Sequence, residues 1–371
     1  MAVFVVYECF RQRYVPMDLA ILFLFQGLLI CAIIDFHTNE QYMYWLHWAW
    51  VLPLGYLLGK VVALGQDSAK KIVLAFGCLA AGMFCQGVLD FSYDYVQNGY
   101  WATEKWMQFW IHTEYQPRTT FELEWLFTTS LTFYALYYMV KVNSRKLWIY
   151  LVLACQVIIQ FFCFKTEGRT NAAYLIIVVA FGILLYTYDC YKEKKKKELH
   201  FLIGLVTVAA VAVLVFMIAF KLNVGGLYDK YENSYLSGSG GIIKNVRFRA
   251  IAEAIVLLSQ NHLGGFTGTV LKGGRSHNMW LEYARQYGLV PFASLYAFKL
   301  VTVIYAIRLI IHRHVGKKIR YILLPAFVCV NLYYTMEPNG HAYRNFWLFG
   351  LFLCGIISGI LRKEKIDETS V

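Results

Sequence analysis

The residues best suited to chemistry in this chain lie in polar stretches between long apolar runs. The largest stretch, 221–287, carries Lys221, Lys230, Lys244, Arg247, Arg249, Lys272, Arg275 and Arg285 against Asp229, Glu232, Glu253 and Glu282, a net +4. Arginine suits phosphate because its planar fork binds two oxygens at once. The stretch therefore has the chemistry to hold an anionic ligand, although a long loop also tolerates charge for its own sake. Near its end runs Gly273-Gly274-Arg275-Ser276-His277-Asn278. Ser276 after a glycine pair reads as a helix N-cap, which sets His277 in the first helical turn. There the positive end of the helix dipole disfavours imidazolium. A neutral imidazole can serve as a general base, and a histidine that only bonds locally fits the same spacing.

Two shorter segments are also polar. Arg169 lies in Lys165-Thr166-Glu167-Gly168-Arg169-Thr170-Asn171, just where an apolar run begins. A helix N-terminus attracts anions and Arg169 would add to it, while Glu167 could equally pair with a basic neighbour in a plain turn. Glu337-Pro338-Asn339-Gly340-His341-Ala342-Tyr343-Arg344 offers His341 and Arg344, either lining a site or making a solvated turn. The acids Asp35, Glu40, Asp90, Asp94, Glu122 and Glu124 would suit a divalent metal if brought together, and nothing in their spacing shows that they are. Nine cysteines form no C-x-x-C pair, so no zinc or iron–sulfur site is read. No metal and no cofactor are expected.

The elements that must position these residues follow from composition. The 371 residues are 59% hydrophobic and 16% charged. A soluble domain is roughly 45–50% apolar and about 25% charged, so a soluble protein and a disordered chain are both excluded. A hydrocarbon core needs roughly 20 apolar residues as a helix. Ten segments qualify: 17–34, 48–64, 72–90, 124–140, 147–164, 173–189, 201–220, 288–311, 321–336 and 345–361. The basic connections (Arg11/Arg13, Lys70-Lys71, Lys141 to Lys146, Lys192 to Lys197, Arg313 to Arg320, Arg362 to Lys365) all fall on one side of such a bundle. Positive charge stays cytoplasmic, which places both termini there. The expectation is an all-α polytopic membrane protein, one integral domain over 1–371, with 221–287 as a large outer loop. An amphipathic helix over 245–260 lies within that loop, with apolar Val246, Ala250, Ile251, Ala254, Ile255 and Leu258. The aromatic loop 91–123 suits the lipid interface. The run Lys194 to Lys197 anchors topology at anionic headgroups, and a nucleic-acid role is not expected. The N-terminus does not read as a cleaved signal.

Taken together, these residues resemble the O-antigen ligase / O-antigen polymerase family of bacterial membrane glycosyltransferases. Ser276-His277-Asn278, then Leu281 and Gly288, looks like that family's H-N-x-x-L…G signature late in the large outer loop. Arg247, Ile251 and Asn261-His262-Leu263-Gly264-Gly265 are similar to its pattern of an arginine, a helix and a turn ending in glycine, with His262 where proline is usual. Arg169 resembles the Ser-Arg segment that opens a span, with Gly168 replacing the serine. The likeness is specific over about 150–300; the first 140 residues match only as hydrophobic spans, and the family usually has about a dozen.

The resemblance implies a C-type glycosyltransferase-like helical bundle in the bacterial plasma membrane with an extracytoplasmic active site. It implies a donor glycan on undecaprenyl pyrophosphate, an acceptor glycan, and inverting transfer without metal. His277 would orient or deprotonate the acceptor hydroxyl. Arg169 and Arg247 would hold the leaving pyrophosphate, with Arg249 and Arg275 behind them. Two residues apart on a helix, Arg247 and Arg249 point about 200° apart, so one of them faces the site. Asn278, His341 and Arg344 are secondary candidates. A flippase and a chain-length regulator are the implied partners besides membrane lipid. The family holds both polymerases of repeat units and ligases of finished glycan; small size and Tyr/Phe/Lys-rich composition lean toward a polymerase of O-antigen, capsule or exopolysaccharide. A lipid-linked oligosaccharide flippase or transporter is the rival from another class. It would require ionisable residues inside the spans. Lys299 is the main one well inside a segment, whereas Asp18, Asp35, Lys60, Asp90, Asp189 and Arg308 lie near ends.

Overall fold

The computed structural model describes residues 2–12, 17–39, 47–64, 68–101, 105–107, 109, 115–117, 125–165, 170–195, 198, 218, 221–222, 246–260, 262–263, 278–311, 315–336 and 344–369. In chain order the helices are α1 (Ala2–Gln12), α2 (Leu19–Asn39), a π-helical turn (His47–Val51) leading into α3 (Leu52–Leu64), α4 (Ser68–Asn98), α5 (Leu126–Val140), α6 (Leu147–Lys165), α7 (Thr170–Lys192), α8 (Val246–Gln260), α9 (Met279–Tyr287), α10 (Leu289–Ile311), α11 (Lys317–Met336) and α12 (Arg344–Thr369). Strands β1 (Lys105–Met107) and β2 (Tyr115–Pro117) form one antiparallel pair, Trp106 opposite Gln116.

Helices lie over every expected span but 201–220, of which only residue 218 is among the described residues. Among the described residues, α2 (over Leu19–Phe36), α4, α6, α7 and α10 are long and apolar enough to cross a membrane, and Trp48–Leu64 and Leu126–Val140 are shorter apolar helices. A helix satisfies its own backbone polar groups in lipid, which is why apolar runs of this length take that form. Among the described residues the chain is helical apart from the hairpin, as in a multi-pass membrane protein.

The chain divides into two compact units, 1–182 with 293–334 and 339–371, and 183–292 with 335–338. In the first unit α3 and α12 pack most intimately. Gly55 and Gly59 on α3, and Gly355 and Gly359 on α12, let the two backbones touch: a Cβ at Gly59 would strike the Phe352 carbonyl, and one at Gly355 the Tyr56 carbonyl. This is the small-xxx-small spacing by which helices associate in lipid, where van der Waals contact replaces the hydrophobic effect. Trp48 meets Trp347 edge-on at 5.8 Å, and its indole N–H donates to Asp35 at 2.8 Å.

Beside this seam lies a charge cluster, Lys60 buried and Asp18 partly so. Asp18 caps α2 through Ile21 N–H at 3.0 Å, and its other oxygen accepts from Tyr56 at 2.8 Å, from Ser358 at 2.6 Å and from Lys60. Lys60 is fully buried. Sequence position puts Asp18 and Lys60 near span ends; the fold instead pairs them across 42 residues, since an ammonium in an apolar bundle needs an acceptor.

The loop 91–123 also differs from expectation. Its first residues continue α4 to Asn98, carrying Tyr93 and Tyr95 on the helix. Asp90 and Asp94, one turn apart and both buried, accept the backbone N–H of Phe109 at 2.6 Å and of Met107 at 2.8 Å. The two carboxylates thus tie the hairpin segment to α4. Trp101 stacks on Phe91 at 4.4 Å and on Tyr95 at 4.1 Å, and Phe91 packs with Phe162 and Trp125. Trp101 and the helical aromatics are spent on helix packing as well as on the surface.

Candidate functional site

The second unit gathers the segment 246–292 and the end of α11. Helix α8 forms where the amphipathic period predicts it. Ala250 and Ala254 are its buried stripe, closed by Leu257 and by Leu281 of α9. Two alanines one helical turn apart allow the close approach of α8 and α9. Of the expected apolar stripe, Ile251 and Leu258 are half-buried and Ile255 stands exposed.

Helix α9 is capped by Asn278, and this corrects the expected cap at Ser276. The Asn278 backbone is extended, at φ −148° and ψ 115°, and its Oδ1 accepts from Leu281 N–H at 3.1 Å. Asparagine caps as well as serine does, so residue type alone does not choose between 276 and 278. Position 277 thus precedes the cap instead of sitting in the first turn. The other end of the Asn278 amide donates to the Thr335 carbonyl at 3.1 Å, tying the start of α9 to the end of α11, where the polar segment 337–344 begins.

The helix ends at Gly288, with φ +88° and ψ −176°, a backbone region essentially reserved for glycine. A Cβ there would sit 2.6 Å from the Leu263 carbonyl carbon and oxygen and 2.8 Å from the His262 oxygen. Leu289 N–H donates to that His262 oxygen at 2.9 Å. The turn after α8 is therefore clamped against the junction of α9 and α10. Asn278, Leu281 and Gly288, the signature positions after His277, each have a constructional role: cap, helix contact and backbone crossing.

Arg249 lies on the exposed side of α8, its Nε paired with Glu253 at 3.0 Å. Such an i,i+4 surface pair contributes only a few tenths of a kcal/mol, about 0.3–0.5. By helical register, position 247 falls on the stripe of Ala250 and Ala254, three and seven residues on. The Arg247 side chain is outside the described residues, as are Arg169, Arg275, His277 and His341 entirely. Arg344 is the first residue of α12, in the first unit, and its side chain is likewise outside them. Of the expected set, the described structure brings Arg247, Arg249 and Asn278 into one unit.

Two arrangements escaped the sequence reading. Glu282 and Arg285 pair inside α9 with both side chains buried. Their i,i+3 spacing and opposite charge were visible, but not that the helix would bury them. Asn171 in the first turn of α7 is fully buried and accepts from Gln160 of α6 at 2.9 Å, while its amide donates to Thr129 of α5 at 3.1 Å. That knot fixes the start of α7, two residues after Arg169. Among the described residues no three His, Cys, Asp or Glu side chains are grouped to hold a metal.

No family model matches this sequence, and a search of curated proteins finds no match either.

Proposed function

We propose that the chain is a polymerase of surface-polysaccharide repeat units, moving glycan from undecaprenyl pyrophosphate to an acceptor sugar hydroxyl at the outer face of a ten-span bacterial plasma-membrane bundle. The observation that carries this reading is the two-ended Asn278 amide. It ties the cap of α9, the residue after His277, to the Thr335 carbonyl at the end of α11, 57 residues away in sequence. The other positions of the resemblance support it in the same way, because Leu281 and Gly288 build the corner of α8, α9 and α10.

In this reading His277 takes the proton of the attacking hydroxyl as the new C–O bond forms and the bond to the leaving pyrophosphate breaks. Arg247 is the favoured member of the 247/249 pair, since Arg249 is already committed to Glu253 on the exposed side. With Arg275, a candidate of the same unit, it holds the departing pyrophosphate. Preorganised charge at a leaving group lowers a barrier by several kcal/mol. The Asp18–Lys60 pair is the one observation that favours the transporter reading, as a charge inside the bundle. Against it, four donors already satisfy Asp18, which suits a staple better than a moving charge.

The test is reconstitution of the purified chain with undecaprenyl-pyrophosphate-linked repeat units in the presence of chelator. A ladder of lengthening lipid-linked glycans supports the polymerase. Transfer only to a different supplied acceptor makes it a ligase. Movement of the donor across vesicles without any transfer makes it a flippase.

A further inference from the structure

Helix α1 was not legible in the sequence as an element, and its burial runs opposite to that of a helix in water. Val3, Phe4, Val6, Tyr7 and Phe10 recur at helical spacing and are exposed, Val3 at 83% and Phe10 at 79%. The opposite face carries Val5 and the carboxylate-bearing Glu8, exposed only 4% and 7%, and α1 packs against α3. A face this apolar and this exposed needs an apolar medium. Eleven residues at 1.5 Å each reach about 16 Å, roughly half of a hydrocarbon core, so α1 does not cross one.

We propose that α1 is a membrane-surface helix whose stripe Val3, Val6, Tyr7 and Phe10 lies among the acyl chains of the cytoplasmic leaflet, with Arg11 at its anionic headgroups. Two observations choose lipid over a protein partner. Exposed apolar residues recur at the start of the next helix, with Met17 just before α2 and Leu19, Leu22 and Phe25 on it, and α2 is long and apolar enough to span. Arg11 stands half-exposed at the C-terminal end of α1, with Arg13 two residues on, and cations at that position favour an anionic surface. The Glu8 carboxylate bonds Arg11 at 2.6 Å, which fixes the guanidinium at the helix end and away from the apolar stripe. This inference does not depend on the transferase reading.

The test places the photo-crosslinking residue p-benzoylphenylalanine at Phe10 of the full chain, reconstituted in vesicles of phosphatidylcholine and phosphatidylglycerol. Position Leu22 is the lipid-facing control. Phospholipid adducts at position 10, seen by mass spectrometry, are expected. A cross-link to a second copy of the chain, or no adduct while Leu22 reacts, would overturn the proposal. A second measurement uses Phe10→Glu, which should remove the amide-exchange protection of α1 in the same vesicles. Unchanged protection would also overturn it.

Discussion

Asn278 supplies two separable bonds, so two substitutions should act differently. Asn278→Ala removes the cap on Leu281 N–H and the donor to the Thr335 carbonyl. Loss of a cap costs about 1 kcal/mol. Loss of a bond to a carbonyl costs about 1 kcal/mol more. The Leu281 amide should then exchange about fivefold faster for each 1 kcal/mol of local opening. Asn278→Asp keeps an acceptor for Leu281 N–H, and the helix dipole favours its charge. It has no donor for Thr335 and sets oxygen against oxygen where the structure has a 3.1 Å bond. The Asp variant should therefore keep the Leu281 amide protected while losing global stability. Hydrogen exchange on peptides covering 279–287, with thermal unfolding in detergent, separates the two effects. Leu281 exchanging equally fast in both variants, or unchanged in both, would refute the cap and the tie to α11 together.

Other substitutions probe other joints. Gly288→Ala should cost about 1–3 kcal/mol from backbone strain alone, since its φ of +88° and the Leu263 backbone at 2.6 Å leave no room for a Cβ; full thermal stability would contradict this. Lys60→Met should destabilise the chain by taking the cation from partly buried Asp18, which keeps only its three neutral donors, and adding Asp18→Asn should restore most of the loss; a double variant as unstable as Lys60→Met would deny the pairing. Arg169→Lys should reduce polymer yield although the charge is kept, because the fork is lost; full activity would assign Arg169 to a turn.

The sequence made the spans legible because lipid sets a length and an apolarity that α2, α4, α6, α7 and α10 meet on their own. Helix α1 lacks that length and was missed. Joints between distant segments were also hidden. Gly59 and Gly355 read as ordinary glycines until α3 and α12 meet, and Asp18 finds Lys60 only in three dimensions. Asp90 and Asp94 looked like spare outer acids; one helical turn apart, they hold the backbone of the following hairpin. At the site, Ser276 and Asn278 are equally good caps by type, and only the bond to Leu281 decides for Asn278. That shift separates the signature into a scaffold made by Asn278, Leu281 and Gly288 and the position before it, where the reaction is proposed.

The most direct test of that separation is His277→Ala in the reconstituted polymerase assay, with donor affinity and thermal stability measured on the same preparation. The account predicts no glycan ladder, donor binding near the wild-type level and unchanged unfolding. A ladder of normal yield and length from the His277→Ala chain would contradict it.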